Sequence, residues 1–149
     1  MSDAALPEPD RVEGAPHPRE TARLFGQADA EEAFLEAHAT GRLHHAWMLT
    51  GPQGVGKATL AWRIARFLLA HQEGQGEALF AATPPRTLDV APDHPVARRV
   101  LALSDPGLFL LRRGANEKGD RLAQDIRVAE VRRMSGFFSL SSADGGRRV

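Results

Sequence analysis

Gly51-Pro52-Gln53-Gly54-Val55-Gly56-Lys57 constrains this chain more than any other stretch. The apolar run Ala46 to Thr50 precedes it. After it, Leu60, Ala61, Ile64, Ala65, Phe67, Leu68 and Leu69 recur with helical spacing up to about Ala70, with Arg63 and Arg66 expected on the wet side. A short apolar run before a glycine turn suits a buried strand, so the local order reads strand, glycine loop, helix. The G-x-x-x-x-G-K spacing lets successive backbone N–H groups point inward at a helix N-terminus, where they surround phosphate oxygens, and Lys57 adds a charge for the outer phosphates. The full motif has Ser or Thr after the lysine, because that hydroxyl ligates the magnesium bridging the phosphates. Here Ala58 stands in its place. Thr59 follows, but one helical step turns it by about 100°, so its hydroxyl is not expected to reach the same point. Gly51, Pro52, Gln53, Gly54, Val55, Gly56, Lys57, Ala58 and Thr59 are therefore the candidate nucleotide-binding residues. They are expected to dock a nucleotide through amides and Lys57, with weak metal coordination and poor hydrolysis.

The rest of the chain frames that loop. A length of 149 residues suits one domain with one sizeable core. A net charge of zero gives no global pull toward nucleic acid or membrane, so any such contact is local. There is no cysteine, hence no disulfide framework and no thiolate metal site, which fits a reducing cytoplasm. The start has no basic leader followed by an apolar run, and no membrane span is expected. Residues 1–20 carry four prolines, five acids and few large apolar groups, and read as a flexible lead.

Further along, Ala30, Ala33, Phe34 and Ala37 share a helical face, with Asp29 as expected N-cap and Gly41 as stop. Residues 71 to 95 read as loop, broken by glycines and prolines, and a short helix through Val96, Arg99, Val100 and Leu103 has Pro95 in its first turn. Leu108 to Leu111 reads as a second buried strand. Asp125 is the expected cap of a helix whose apolar set is Val128, Val131, Met134 and Phe138. Gly145-Gly146 turns the chain, and Arg147 to Val149 looks like the opening of a third strand. Alternating strands and helices predict an α/β layer with a parallel sheet.

Other candidates carry less chemistry. His44 and His45 are adjacent, so on a strand they point to opposite faces; a surface position explains them better than a metal site. Trp47, Trp62, Phe137 and Phe138 sit in or beside apolar runs and read as core rather than as stacking platforms for bases. From Leu108 to Val149 nine basic residues face five acids, a local excess that could meet phosphates but that solvated helix faces also carry.

Leu24-Phe25-Gly26-Gln27, the helix after it, Gly41-Arg42-Leu43-His44-His45-Ala46-Trp47 before the loop, the loop itself, and the stretch from Asp125-Ile126-Arg127 to Phe138 together resemble the delta-prime subunits of bacterial DNA polymerase III clamp loaders. The resemblance runs from about Thr21 to Val149. It implies a P-loop NTPase fold of the AAA+ type, a three-layer parallel sheet with flanking helices, here truncated after the second or third strand. Residues 21–149 would be the N-terminal part of that nucleotide-binding domain, and the chain the front of a longer protein. It implies partners: gamma/tau and delta subunits, and through the complex the sliding clamp and primed DNA. The holoenzyme is a nucleotidyltransferase; this chain at best binds ATP with weak magnesium and is not expected to hydrolyse it alone. Leu24 and Phe25 would lie near the adenine. Many members carry a four-cysteine zinc module that residues 71 to 107 lack, so no zinc is expected. The alternative is an active P-loop ATPase or kinase of another family, in which Thr59 or another group supplies the metal ligand.

Overall fold

A computed structural model describes residue 6 and residues 8–71, 84–140 and 146–149. Four helices follow one another: α1 Ala28–Ala39, α2 Lys57–Ala70, α3 Pro95–Leu101 and α4 Val128–Ser139. The expected loop across residues 71 to 95 falls in part, and the Gly145-Gly146 turn in its first residue, outside the described residues.

The helix α2 is the axis of the core. Eight of its residues are buried, because its sequence is apolar on nearly every side. On one side Leu60, Ile64, Phe67 and Leu68 pack with Phe34 of α1 and with Leu88. On another, Trp62 and Leu69 pack with Val96 and Val100 of α3. Val149 packs against both groups. Phe34 and Phe67 meet edge to face at 6.2 Å, the arrangement aromatic quadrupoles favour.

Local sequence explains the helix ends. Gly41, at φ 66°, follows the C-cap of α1; its N–H donates to the His38 carbonyl and the Arg42 N–H to the Ala37 carbonyl. These two bonds form a Schellman stop that satisfies carbonyls the helix leaves unpaired. Pro95 opens α3 behind His94, whose Nδ1 accepts from the Val96 N–H at 3.2 Å. Asp29 is not the cap of α1: that place is Gln27, and Asp29 lies in the first turn, where its charge still suits the helix dipole. Asp125 is not the cap of α4 either; Arg127 is, with no side-chain capping bond.

The expected three-layer parallel sheet is absent: the described residues contain no β-strand, only an isolated antiparallel bridge between Ala115 and Leu122. Residues 46–50, 108–111 and 147–149 are in neither helix nor strand. Phe109 donates to the Val149 carbonyl and Val149 to the Gly107 carbonyl, both at 2.8 Å, which makes one parallel rung. A strand exists only through a neighbour. No backbone bond joins residues 46–50 to another described segment, and Met48 stands 85% exposed. An apolar run reports burial potential and not the presence of a partner, which is why it misleads here.

Arg63 corrects a second expectation. It is buried, not wet, because Glu31 at 2.8 Å and Asp89 at 3.0 Å neutralise it and the Ala22 carbonyl accepts from it. Arg66 is half-buried and donates to the Arg19 and Thr21 carbonyls. In the other direction α4, expected to bury its apolar set, has no buried residue.

Candidate functional site

The glycine loop takes a path only glycine follows cheaply at three points: Gly51 at φ 141°, Gly54 at φ 85° and Gly56 at φ 94°. Gly56 is the N-cap of α2, in the left-handed region, and its carbonyl accepts the first intrahelical bond from Leu60 at 2.9 Å. The N–H groups of residues 57–59 precede any helical partner, and among the described residues no N–H from Gly51 to Thr59 donates to a protein acceptor. Unpaired amides at the positive end of a 14-residue helix form a local surplus of donors.

Lys57 curls back on this loop. Its Nζ donates to the Gly51 carbonyl at 2.8 Å and the Pro52 carbonyl at 2.6 Å, drawing the loop into a closed ring. Ala58 and Thr59 follow in the first turn, both half-buried, and Ala58 offers no oxygen.

The two residues expected near a base differ in burial. Leu24 is half-buried and lies on the loop: a Cβ placed on Gly56 would stand 2.4 Å from its Cδ1. Phe25 is 81% exposed. Gln27, unassigned by sequence reasoning, caps α1 and donates through Nε2 to the Val55 carbonyl at 3.1 Å. In sequence it is marked by its place in the Leu24-Phe25-Gly26-Gln27 stretch ahead of the first helix, and neither signal points to Val55. Beside the loop a cleft of about 250 Å³ is lined by Gln27, Phe34, Trp47, Leu49, Val55 and Lys57. Trp47, expected in the core, is partly exposed and meets Phe34 edge to face at 5.2 Å. Trp62 is buried as expected, while Phe138 is 53% exposed.

His44 and His45 are exposed, and among the described residues no group of three or more His, Asp or Glu is placed to hold a metal ion. No helix among them is long and apolar enough to cross a membrane. Several of the later basic residues bind within the chain. Arg112 pairs with Glu8 at 3.0 Å, Arg127 donates to the Ala115 carbonyl, Arg133 pairs with Glu130 and the Arg148 guanidinium lies 4.7 Å from the Phe137 ring centre. The strongest electrostatic perturbation lies away from the loop. Hydrogen bonding from Arg19, then from Arg112, outweighs desolvation and lowers the Glu8 carboxyl to about 2.

The family model for DNA polymerase III, delta subunit, matches residues 26–149. The DNA polymerase III subunit gamma of Buchnera aphidicola subsp. Schizaphis graminum (strain Sg) is 39% identical over 51 residues, 34% of this chain and 14% of that protein. The same subunit from Buchnera aphidicola subsp. Acyrthosiphon pisum (strain APS) is 40% identical over 45 residues, 30% of this chain and 12% of that protein. The aligned part thus spans 12% to 14% of the length of these relatives. No solved structure matches.

Proposed function

The chain belongs to the DNA polymerase III, delta subunit family, and on that premise we propose that it is a clamp-loader subunit of the delta-prime type that holds a nucleotide weakly and does not hydrolyse it. The observation that carries the assignment is the family match from residue 26 to residue 149, which includes the glycine loop, α2 and α4. The reading of weak nucleotide use rests on Ala58.

In this reading the unpaired amides ahead of α2 receive phosphate oxygens, and Lys57 leaves the Gly51 and Pro52 carbonyls to meet them. ATP is the proposed ligand. Magnesium fits the loop poorly, because the position that would supply a hydroxyl carries a methyl group. The proposed partners are gamma/tau and delta subunits, with the sliding clamp and primed DNA reached through the complex in the cytoplasm. Leu24 would cover the loop beside the base, and the exposed Phe25 is free to close over it.

A second reading is an active P-loop ATPase, in which the hydroxyl of Thr59, one residue past Ala58, supplies the metal ligand. One experiment separates the two: nucleotide affinity and turnover of the full-length protein, with and without magnesium, for the wild type and for Ala58→Thr. The subunit reading expects magnesium to change wild-type affinity less than about threefold and Ala58→Thr to gain metal dependence of about tenfold or more, the scale of one hydrogen bond to a charged group. Strong metal dependence with brisk wild-type turnover would establish the ATPase instead. Failure to co-purify with gamma/tau and delta would refute the clamp-loader assignment itself.

A further inference from the structure

We infer that residues 8–21 form a polar clasp on α2, centred on the buried His17, and that the chain leaving this clasp holds Leu24 and Gln27 against the glycine loop. The inference holds whatever that loop binds.

His17 is fully buried in a segment that contributes almost no large apolar side chain. Its ring is spoken for on both nitrogens. Nδ1 accepts from the Arg19 N–H at 3.0 Å, so the ring proton sits on Nε2, which lies 3.1 Å from the Asp10 carboxylate and 3.4 Å from that of Glu8. Asp10 in turn accepts from the indole N–H of Trp62 at 3.3 Å, and the His17 ring stands edge-on to Trp62 with centroids 6.0 Å apart. Glu8 binds Arg19 at 2.6 Å and Arg112 at 3.0 Å, which ties the lead to the segment after α3. The segment therefore touches α2 through Trp62 and bridges to Arg112.

The exit from the clasp is fastened as firmly. Arg66 donates to the Arg19 carbonyl at 2.7 Å and the Thr21 carbonyl at 3.3 Å, and Arg63 donates to the Ala22 carbonyl. Two residues on, Leu24 lies against Gly56, and three further on Gln27 donates to Val55. Residues 19 to 27 thus run along α2 from Arg66 to its N-cap, anchored at each end. Polar contacts contribute only about 0.5–1.5 kcal/mol each, while ordering each residue costs roughly 1–2 kcal/mol. A clasp made almost wholly of such contacts sits near balance and opens as a unit before the core does. Opening it loosens the run that carries Leu24 and Gln27 to the loop.

Hydrogen–deuterium exchange of the full-length protein tests this with three variants, His17→Ala, the milder Asp10→Asn, and Gln27→Ala. The expected result is that residues 8–21 are protected in the wild type. His17→Ala or Asp10→Asn should then speed exchange of 8–21 and of the first bonded amides of α2, beginning with Leu60 on the Gly56 carbonyl, together, by about tenfold or more. Gln27→Ala should speed the start of α2 alone. Three results would overturn the inference: an unprotected lead in the wild type, a lead still protected in both His17→Ala and Asp10→Asn, or a released lead with exchange at the start of α2 unchanged. Asp10→Asn keeps the side chain's size while setting an amide against the ring N–H, so the test survives a failure of His17→Ala to fold.

Discussion

Gly56 is the residue on which the loop's geometry turns. At φ 94° any side chain costs about 1–2 kcal/mol, and a Cβ would also meet Leu24 Cδ1 at 2.4 Å. Gly56→Ala is expected to lower stability by about 2–3 kcal/mol, read from denaturant unfolding. Adding Leu24→Ala should recover the steric part and leave the backbone part, because Leu24 is the end of a flexible side chain and the φ is not. Full recovery in the double variant would show that the backbone at 56 is relaxed. Glu8 makes a second residue-scale prediction. Its folded carboxyl lies near 2, below the ordinary 4.5, so its contribution is fully present above about 4.5 and is lost as pH falls from there toward 2. The unfolding midpoint of the wild type should therefore fall more steeply over that window than that of Glu8→Gln. Equal slopes would remove Arg19 and Arg112 as its partners. Single residues were legible unevenly. The glycines at 51 and 56 follow from the motif itself. Gln27 does not, since nothing in a glutamine before a helix tells that its amide will meet the Val55 carbonyl.

Among the elements, α2 and α4 make opposite use of similar patterns. Both carry apolar residues at helical spacing, yet Phe67 in α2 is fully buried while Val128 in α4 is 67% exposed. Phe67→Ala is expected to cost about 3–5 kcal/mol and Val128→Ala less than about 0.5 kcal/mol, both measured by chemical denaturation of the same protein. Comparable losses would mean that α4 is packed in solution. Helical periodicity placed α1, α2 and α4 because the 3.6-residue repeat is a property of the helix alone. Periodicity does not say whether a facing element exists. The same gap explains Arg63: its place on the helix reads as wet, and only Glu31 and Asp89, contributed by distant parts of the chain, make its burial tolerable.

At the scale of the whole molecule, Gly107 is where the last described residues join the body. A Cβ there would stand 2.7 Å from Leu69 Cδ2 and 2.9 Å from the Arg147 carbonyl. Leu69 is buried and the carbonyl is backbone, so neither gives way easily. Gly107→Ala is expected to cost about 1–3 kcal/mol and to expose the amides of Phe109 and Val149 to faster exchange, since these carry the single rung between the two segments. Unchanged protection at both amides would show that the rung is not formed in solution. What the sequence by itself determined is what neighbours along the chain decide: helical repeats, the glycine turn with its lysine, the missing hydroxyl at Ala58, and the kinship with clamp-loader subunits. What only the tertiary structure decided is what distant residues decide together. Residues 46–50 find no ladder, Arg63 goes inside, and a proline-rich lead docks by its charges. Each depends on a partner far away in sequence, and the free energy of meeting that partner is written in neither segment alone.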